Sequence, residues 1–196
     1  TNQAPRKITK GEDGESINIK LELRSLADVG LVGFPNAGKS TFLNTVSSAK
    51  PKIADYPFTT LRPHLGTIKY SDNSFVIADI PGIIEGASDG HGLGIKFLKH
   101  ISRTGILLFF LEAFSEISVQ DQFLKLKKEL GDFSERLLEK EFYIVVTKID
   151  LIDEETRFET LNTFNSKEFA NVFGISSVTG EGVQELLDDI SRKIFI

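Results

Sequence analysis

From Ile17 the chain alternates apolar and polar positions: Ile17, Ile19, Leu21 and Leu23 are separated by Asn18, Lys20 and Glu22, with Arg24 following. A period of two predicts a strand with one face buried. Val29 to Val32 is instead a continuous apolar run stopped by Gly33, as in a strand covered on both faces of a parallel sheet. A helix is expected from Lys39 through about Ser48. Ile68 to Tyr70 and Phe75 to Ala78 flank Ser71-Asp72-Asn73, which predicts a hairpin. Ile106 to Leu111 and Tyr143 to Val146 are further apolar strands. Between them Phe123, Leu124, Leu126, Leu130, Leu137 and Leu138 sit among charges as on an amphipathic helix. Val172 to Ile175 predicts a last strand, and Val183, Leu186, Leu187, Ile190 and Ile194 mark one face of a closing helix. Strands alternating with helices predict an α/β layer structure with a mainly parallel sheet.

The bulk numbers narrow the class. With 196 residues, 40% of them hydrophobic and 26% charged, the chain fits one soluble domain with a single substantial core. No apolar run approaches the roughly 20 residues of a membrane helix. The absence of cysteine removes disulfides and fits a cytoplasmic protein. A net charge of −5 argues against a general nucleic-acid-binding surface, which needs clustered Lys and Arg. Thr1 to Gly14 is polar, reads as a tail or linker, and has no signal-peptide core. Methionine is absent even at position 1, so a cut fragment is expected.

Candidate chemistry begins at Gly33-Phe34-Pro35-Asn36-Ala37-Gly38-Lys39-Ser40, followed by Thr41. Two glycines around four residues and then Lys-Ser is the spacing of a phosphate-wrapping loop. Its N–H groups can approach a phosphate where no Cβ intervenes, and the next helix points its N-terminus at the anion. Lys39 would reach the β- and γ-phosphates and the Ser40 hydroxyl would ligate Mg²⁺. A chance glycine-rich turn is the competing reading; the position between a predicted strand and helix weighs against it.

Two later segments suit γ-phosphate sensing. Tyr56 and Pro57 lead into Phe58, Thr59, Thr60, Leu61 and Arg62, a loop where a threonine can ligate Mg²⁺ while its N–H meets the γ-phosphate. Asp79-Ile80-Pro81-Gly82 follows the run Phe75 to Ala78. There Asp79 can hold the metal's water shell and the Gly82 N–H can face the γ-phosphate. Lys39, Thr60 and Gly82 are thus the candidate catalytic groups, with Ser40 and Thr60 as candidate metal ligands. Singly, each segment reads as an ordinary loop or turn; their order after the phosphate loop favours the functional reading.

Thr147-Lys148-Ile149-Asp150 comes straight after the strand at Tyr143 to Val146. The Asp150 carboxylate can accept hydrogen bonds from guanine N1–H and its 2-amino group, a donor pair adenine lacks, and such mismatches discriminate strongly. The Lys148 stem can lie along the base plane. Ser176-Ser177-Val178 follows the last strand, where a backbone N–H can meet guanine O6. In isolation Lys148 and Asp150 would read as a surface ion pair or a helix cap.

The elements in this order resemble the translation-factor-related class of P-loop GTPases, and the resemblance sharpens to the Obg (CgtA) family. It is carried by Leu26-Ala27-Asp28-Val29-Gly30-Leu31-Val32 running into the phosphate loop, by Asp55 to Gly66, and by Ile77 to Ala87. Gly90-His91-Gly92-Leu93-Gly94 with Phe97-Leu98-Lys99-His100-Ile101 carries it further. It covers roughly residues 17 to 195. The resemblance implies a P-loop NTPase three-layer fold, with residues 1–24 as the end of a glycine-rich N-terminal domain or a linker and 25–196 as the GTPase domain. It also implies a monomeric, cytoplasmic, Mg²⁺-dependent enzyme that binds GTP and GDP. Expected partners are the large ribosomal subunit, during its assembly, and guanosine tetraphosphate.

Departures from the family pattern carry expectations of their own. Thr147 stands where Asn is usual, which predicts loss of an amide contact to the base and the loop. Ser177 replaces the usual Ala, a harmless change if the contact is made by the backbone. Glu112-Ala113 replaces a more ordinary Asp-Ala, a change that carries no expectation. Ile83 and Ile84 occupy the region where Ras-like enzymes orient water with a glutamine, so slow intrinsic turnover is expected. Glu85, the nearest acid beyond, reads as a solvated residue. Asn36 resembles the phosphate-loop Asn of potassium-stimulated relatives, which raises K⁺ as a second cation; bracing of the loop by its side chain is the competing expectation. Lys96, Lys99, His100 and Arg103 recur at helical spacing, as a basic face for RNA or protein or as a plain solvated face. An ATP-hydrolysing relative and a non-catalytic nucleotide-sensing scaffold remain the rival readings.

Overall fold

The computed structural model describes residues 27–53, 63–79, 104–164 and 171–195, together with Gly11, Gly14, Ile17 and Phe169. In chain order the elements are β1 (Val29–Gly33), α1 (Lys39–Val46), β2 (Lys52–Ile53), β3 (His64–Tyr70), β4 (Asn73–Asp79) and β5 (Ile106–Glu112). They continue with α2 (Val119–Phe133), α3 (Glu135–Leu138), β6 (Glu141–Thr147), a 3₁₀ turn (Ile149–Leu151), α4 (Glu154–Asn162), β7 (Val172–Ile175) and α5 (Val183–Phe195). The seven strands form one sheet in the order β2-β3-β4-β1-β5-β6-β7. The pairs β4–β1, β1–β5, β5–β6 and β6–β7 are parallel; β2–β3 and β3–β4 are antiparallel.

The β5 sequence shows why the sheet is covered on both sides. Leu107, Phe109 and Leu111 enter one buried cluster and Ile106, Leu108 and Phe110 the other, as the pleat of a strand requires. The first cluster takes Val119, Phe123, Leu126 and Leu130 from α2 and Leu137 from α3. The second takes Phe42 and Leu43 from α1, and Val183, Leu186, Leu187 and Ile190 from α5. Helices on two faces of a mainly parallel sheet give the expected three layers. Phenylalanine does much of the filling: rings of Phe109, Phe142, Phe164 and Phe169 lie within 5.2 to 5.8 Å of the Phe123 ring, mostly edge to face, as aromatic quadrupoles favour.

Several expectations change in detail. The helix expected to Ser48 stops at Val46, because Ser47 is already extended (φ −71°, ψ 132°). The hairpin strands are longer than the apolar runs, and Tyr70 pairs with Asn73, so the turn is Ser71-Asp72 alone. The single amphipathic helix is two: Ser134, at φ −163° and ψ 117°, separates α2 from α3. Leu124, counted on its apolar face, is 60% exposed, since one residue past Phe123 turns about 100° around the helix. Helix α4 was not foreseen. Of the expected strand from Ile17 to Leu23 only Ile17 is described, and it is exposed.

Candidate functional site

The carboxyl ends of the parallel strands converge on one edge of the sheet. The chain passes from β1 to the β4 side and returns to β5 on the other, so β1 lies where the strand order reverses. Open α/β sheets hold their ligands at this crevice.

The phosphate loop leaves β1 under two backbone constraints. A Cβ on Gly33 would lie 2.7 Å from the Phe110 carbonyl of the neighbouring strand, a backbone atom that cannot step aside. Gly38, the residue before α1, has φ +89°, in the left-handed region that glycine enters at no steric cost. Asn36 also has positive φ (63°), which asparagine tolerates better than most residues. Lys39 folds back over the loop, its Nζ donating to the carbonyls of Gly33 (2.8 Å) and Phe34 (2.9 Å). Burial pushes the Lys39 pKa below the ordinary lysine range, and the Asp79 carboxylate opposes that shift. The first turn of the helix beyond has N–H groups with no acceptor inside the helix, available to whatever the loop encloses.

Ser40 and Asp79 meet from opposite sides. The Ser40 hydroxyl donates to Asp79 Oδ2 at 2.6 Å. Asp79, at the end of β4, is 3% exposed, and its Oδ1 has no hydrogen-bond partner among the described residues. An orphaned buried carboxylate oxygen beside a hydroxyl is oxygen-donor chemistry suited to a hard divalent cation. Among the described residues there is no cluster of three or more His, Cys, Asp or Glu. That too fits Mg²⁺, which takes one or two protein oxygens and completes its shell with water and phosphate.

At the end of β6 the Thr147 hydroxyl, buried, lies 2.9 Å from the Ala37 carbonyl and 3.2 Å from that of Leu111, with one proton to donate between them. The loop contact expected to be lost with asparagine is therefore made by the hydroxyl, which reaches the same loop through a shorter side chain. Lys148 follows in the left-handed region (φ 59°, ψ 36°). Its Nζ donates to Glu112 Oε1 at 2.5 Å, so the departure from which nothing was expected supplies a partner. Ile149 is buried and the Asp150 carboxylate is exposed to solvent.

After β7 the Ser176 N–H donates to the Glu181 carbonyl (3.0 Å) and the Gly180 N–H to the Ser176 carbonyl (2.9 Å). Ser176 is thus spent on closing its own turn, which leaves Ser177 and Val178, the latter 83% exposed, as the candidates for a base-facing amide. The Thr45 hydroxyl of α1 lies 3.0 Å from the Thr41 carbonyl of its own helix and 3.2 Å from the Ser177 carbonyl, with one proton to donate between them, which sets this turn against the phosphate-loop helix.

A cavity of about 340 Å³ is lined by Asn36, Gly38, Lys39, Ser40, Thr41 and Lys148. It joins the phosphate loop to Lys148 of the candidate base-reading turn. Phe58, Thr59, Thr60, Leu61, Arg62, Ile80, Pro81 and Gly82 lie outside the described residues, as do Ile83 to Glu85, Gly90 to Ile101 and Arg103. Sequence reasoning missed Glu112 and the buried Gln122 that holds it; polar residues around an apolar strand end were the available signal.

Residues 28–148 match the family model of 50S ribosome-binding GTPases. The chain belongs to this family. Within it, the resemblance to the Obg family is borne out by curated relatives named GTPase Obg. The protein from Chloroherpeton thalassium is 53% identical over 99% of this chain and 57% of its own length, and that from Pelodictyon phaeoclathratiforme is 50% identical over 99% and 56%. The chain thus spans a little over half the length of these relatives. Among solved structures, a variant of Era from Aquifex aeolicus bound to GDP·AlF₄⁻ is similar at TM-score 0.64 and 26% identity, covering 84% of this chain and 55% of that one. The G domain of the T. maritima FeoB iron transporter shares the fold at TM-score 0.60 and 24% identity, over 84% and 96%.

Proposed function

We propose that the chain is the GTP-binding and GTP-hydrolysing domain of a molecular switch, with residues 25–196 as that domain and 1–24 as the end of a preceding domain or a linker. One observation carries the reading: a single cavity has the glycine-bounded loop with Lys39 and Ser40 on one side and Lys148 on the other. A triphosphate and its purine need these two walls together.

Phosphates lie against the N–H groups at the start of α1, with Lys39 turning from its own loop carbonyls towards the β- and γ-oxygens. Ser40 and Thr60 would hold Mg²⁺, with Asp79 Oδ1 accepting from its water shell; the ion supplies charge neutralisation at the phosphates. Gly82 and Thr60 offer N–H groups to the γ-phosphate. Asp150 selects guanine through N1–H and the 2-amino group, while Ser177 or Val178 meets O6. Ile83 and Ile84 cannot orient water, so turnover is slow, and fixed dipoles and cations provide most of the catalysis. K⁺ held through Asn36 is the proposed second cation, and equal turnover in K⁺ and Na⁺ buffers would remove it.

In the cell the protein would act in the cytoplasm as a monomer, in assembly of the large ribosomal subunit, and would be open to guanosine tetraphosphate. Membership of the 50S ribosome-binding GTPases supports the ribosomal part. Among the described residues no helix is long and apolar enough to cross a membrane. Titration with GTP, GDP and ATP in Mg²⁺ tests the core of the reading. Guanine nucleotides are expected to bind far more tightly than ATP, and Asp150→Asn to erase that preference. Equal affinity of the unaltered chain for GTP and ATP would overturn it. A sensing scaffold without turnover is the second reading, favoured by the two isoleucines; stimulation of hydrolysis by 50S subunits would exclude it.

A further inference from the structure

Lys148 belongs to the wall of the cavity, but its side chain is set by a residue that does not line it. Lys148 Nζ is tied to Glu112 Oε1 at 2.5 Å, and its backbone is held in the left-handed region with its carbonyl accepting from the Leu151 N–H at 3.0 Å. Such a backbone is uncommon for lysine and persists where neighbours enforce it. Glu112 is held in turn. Gln122 of α2, 2% exposed, accepts from the Glu112 N–H (2.9 Å) and donates to the carbonyls of Glu112 (2.9 Å) and Ile117 (2.8 Å). Glu112 also pairs in register with Thr147, the residue before Lys148.

We propose that Glu112 is a positioning residue for the nucleotide, acting through Lys148: its carboxylate extends the lysine side chain beside the cavity before a ligand arrives. The four-carbon stem is then already placed to cover a purine ring. This rests on the guanine-nucleotide reading above. A lysine left free would give up its rotamer freedom on each binding event, which weakens affinity by roughly three- to tenfold. The pair is partly open to water, at 33% and 21% exposure, so direction rather than Coulomb attraction is its contribution. Bracing of the strand end is a separate task. The Gln122 amide performs it through the Glu112 backbone, and it survives removal of the carboxylate.

The test compares the unaltered chain with Glu112→Gln, Glu112→Asp, Lys148→Met and the double variant Glu112→Gln/Lys148→Met. It measures dissociation constants of GDP and inosine diphosphate in Mg²⁺, with kcat and KM for GTP. Glu112→Gln is expected to raise the GDP dissociation constant and the GTP KM roughly three- to tenfold with kcat unchanged. Inosine diphosphate should weaken by the same factor, because the stem meets the ring and not the 2-amino group. Glu112→Asp should recover part of the loss, and Glu112→Gln should add nothing in the Lys148→Met background. Unchanged GDP affinity in Glu112→Gln, or an equal loss in the Lys148→Met background, would overturn the proposal. Failure of the parent reading shows separately, as an unaltered chain with no preference for guanine over adenine nucleotides.

Discussion

The phosphate loop and the candidate base-reading turn stand at the ends of strands in the same sheet, yet they are shaped by different means. Around Gly33 and Gly38 the form comes from backbone: no room for a Cβ against Phe110, a left-handed φ, and a lysine folded onto loop carbonyls. Around Lys148 it comes from side chains. Thr147 reaches Ala37 through a hydroxyl, Lys148 is aimed by Glu112, and Asp150 stays exposed. Phosphate is common to all nucleotides and can be met by fixed amides; the base differs between nucleotides and is read by groups that sequence change can retune. Substitutions in the first region should therefore damage architecture or turnover, and those in the second should shift affinity while leaving the fold intact.

The largest expected effect separates chemistry from architecture within the loop itself. Lys39→Met should lower GTP turnover by about 10²- to 10³-fold, the scale of losing one charge-stabilising donor, with the thermal midpoint little changed. An unfolded variant would show that Lys39 holds the loop as much as it serves the phosphates. Gly33→Ala should act the other way, costing about 1–3 kcal/mol of stability in urea unfolding because the new methyl meets backbone in a packed sheet. Wild-type stability there would break the contrast. Thr147→Val removes the hydroxyl from between the two carbonyls at nearly constant volume. GTP and GDP affinity should fall by roughly fivefold to tenfold, on the scale of one hydrogen bond, with the guanine preference kept; isothermal titration with GTP, GDP and ATP reads both.

The smallest effect lies remote from both regions and serves as their control. Burial, with help from the Asp132 carboxylate, pushes the Glu129 pKa up to about 7. A carboxyl raised on folding contributes its full stability below its unfolded pKa and loses it as pH rises through the folded value. Glu129→Gln should therefore flatten the fall in stability between about pH 4.5 and 7, followed by urea midpoints across that range. The pH profile of turnover should not move.

Much of this was legible in the residues because both sheet faces are buried. Continuous apolar runs such as Val29 to Val32 and Ile106 to Leu111 stand out, and the helix from Val183 writes its face at regular spacing. Helix α4 escaped because it buries none of its residues, leaving no stripe to read. Its signal was instead the Asp153 side chain accepting from the Thr156 N–H at 2.8 Å, with Glu154 and Glu155 in the first turn. The break at Ser134 escaped because Leu130 and Leu137 keep a seven-residue interval that suits a continuous helix equally well. In the site, the glycine spacing and Lys39 announce themselves locally. The Glu112 contact spans 36 residues, and its meaning appears only once β5 and β6 lie side by side.

The antiparallel hairpin has one more property. His64, the first residue of β3, pairs with Asp79, the last of β4. Ile53 of β2 faces the same His64, so one rung of the sheet runs from Ile53 through His64 to Asp79, with neighbouring strands about 4.8 Å apart. On its other side Asp79 pairs with Leu31 of β1, so the carboxylate that faces the Ser40 hydroxyl is carried on backbone flanked by strands on both sides. Only a shift of whole strands could move that carboxylate away from the loop; turning its side chain leaves its root in place.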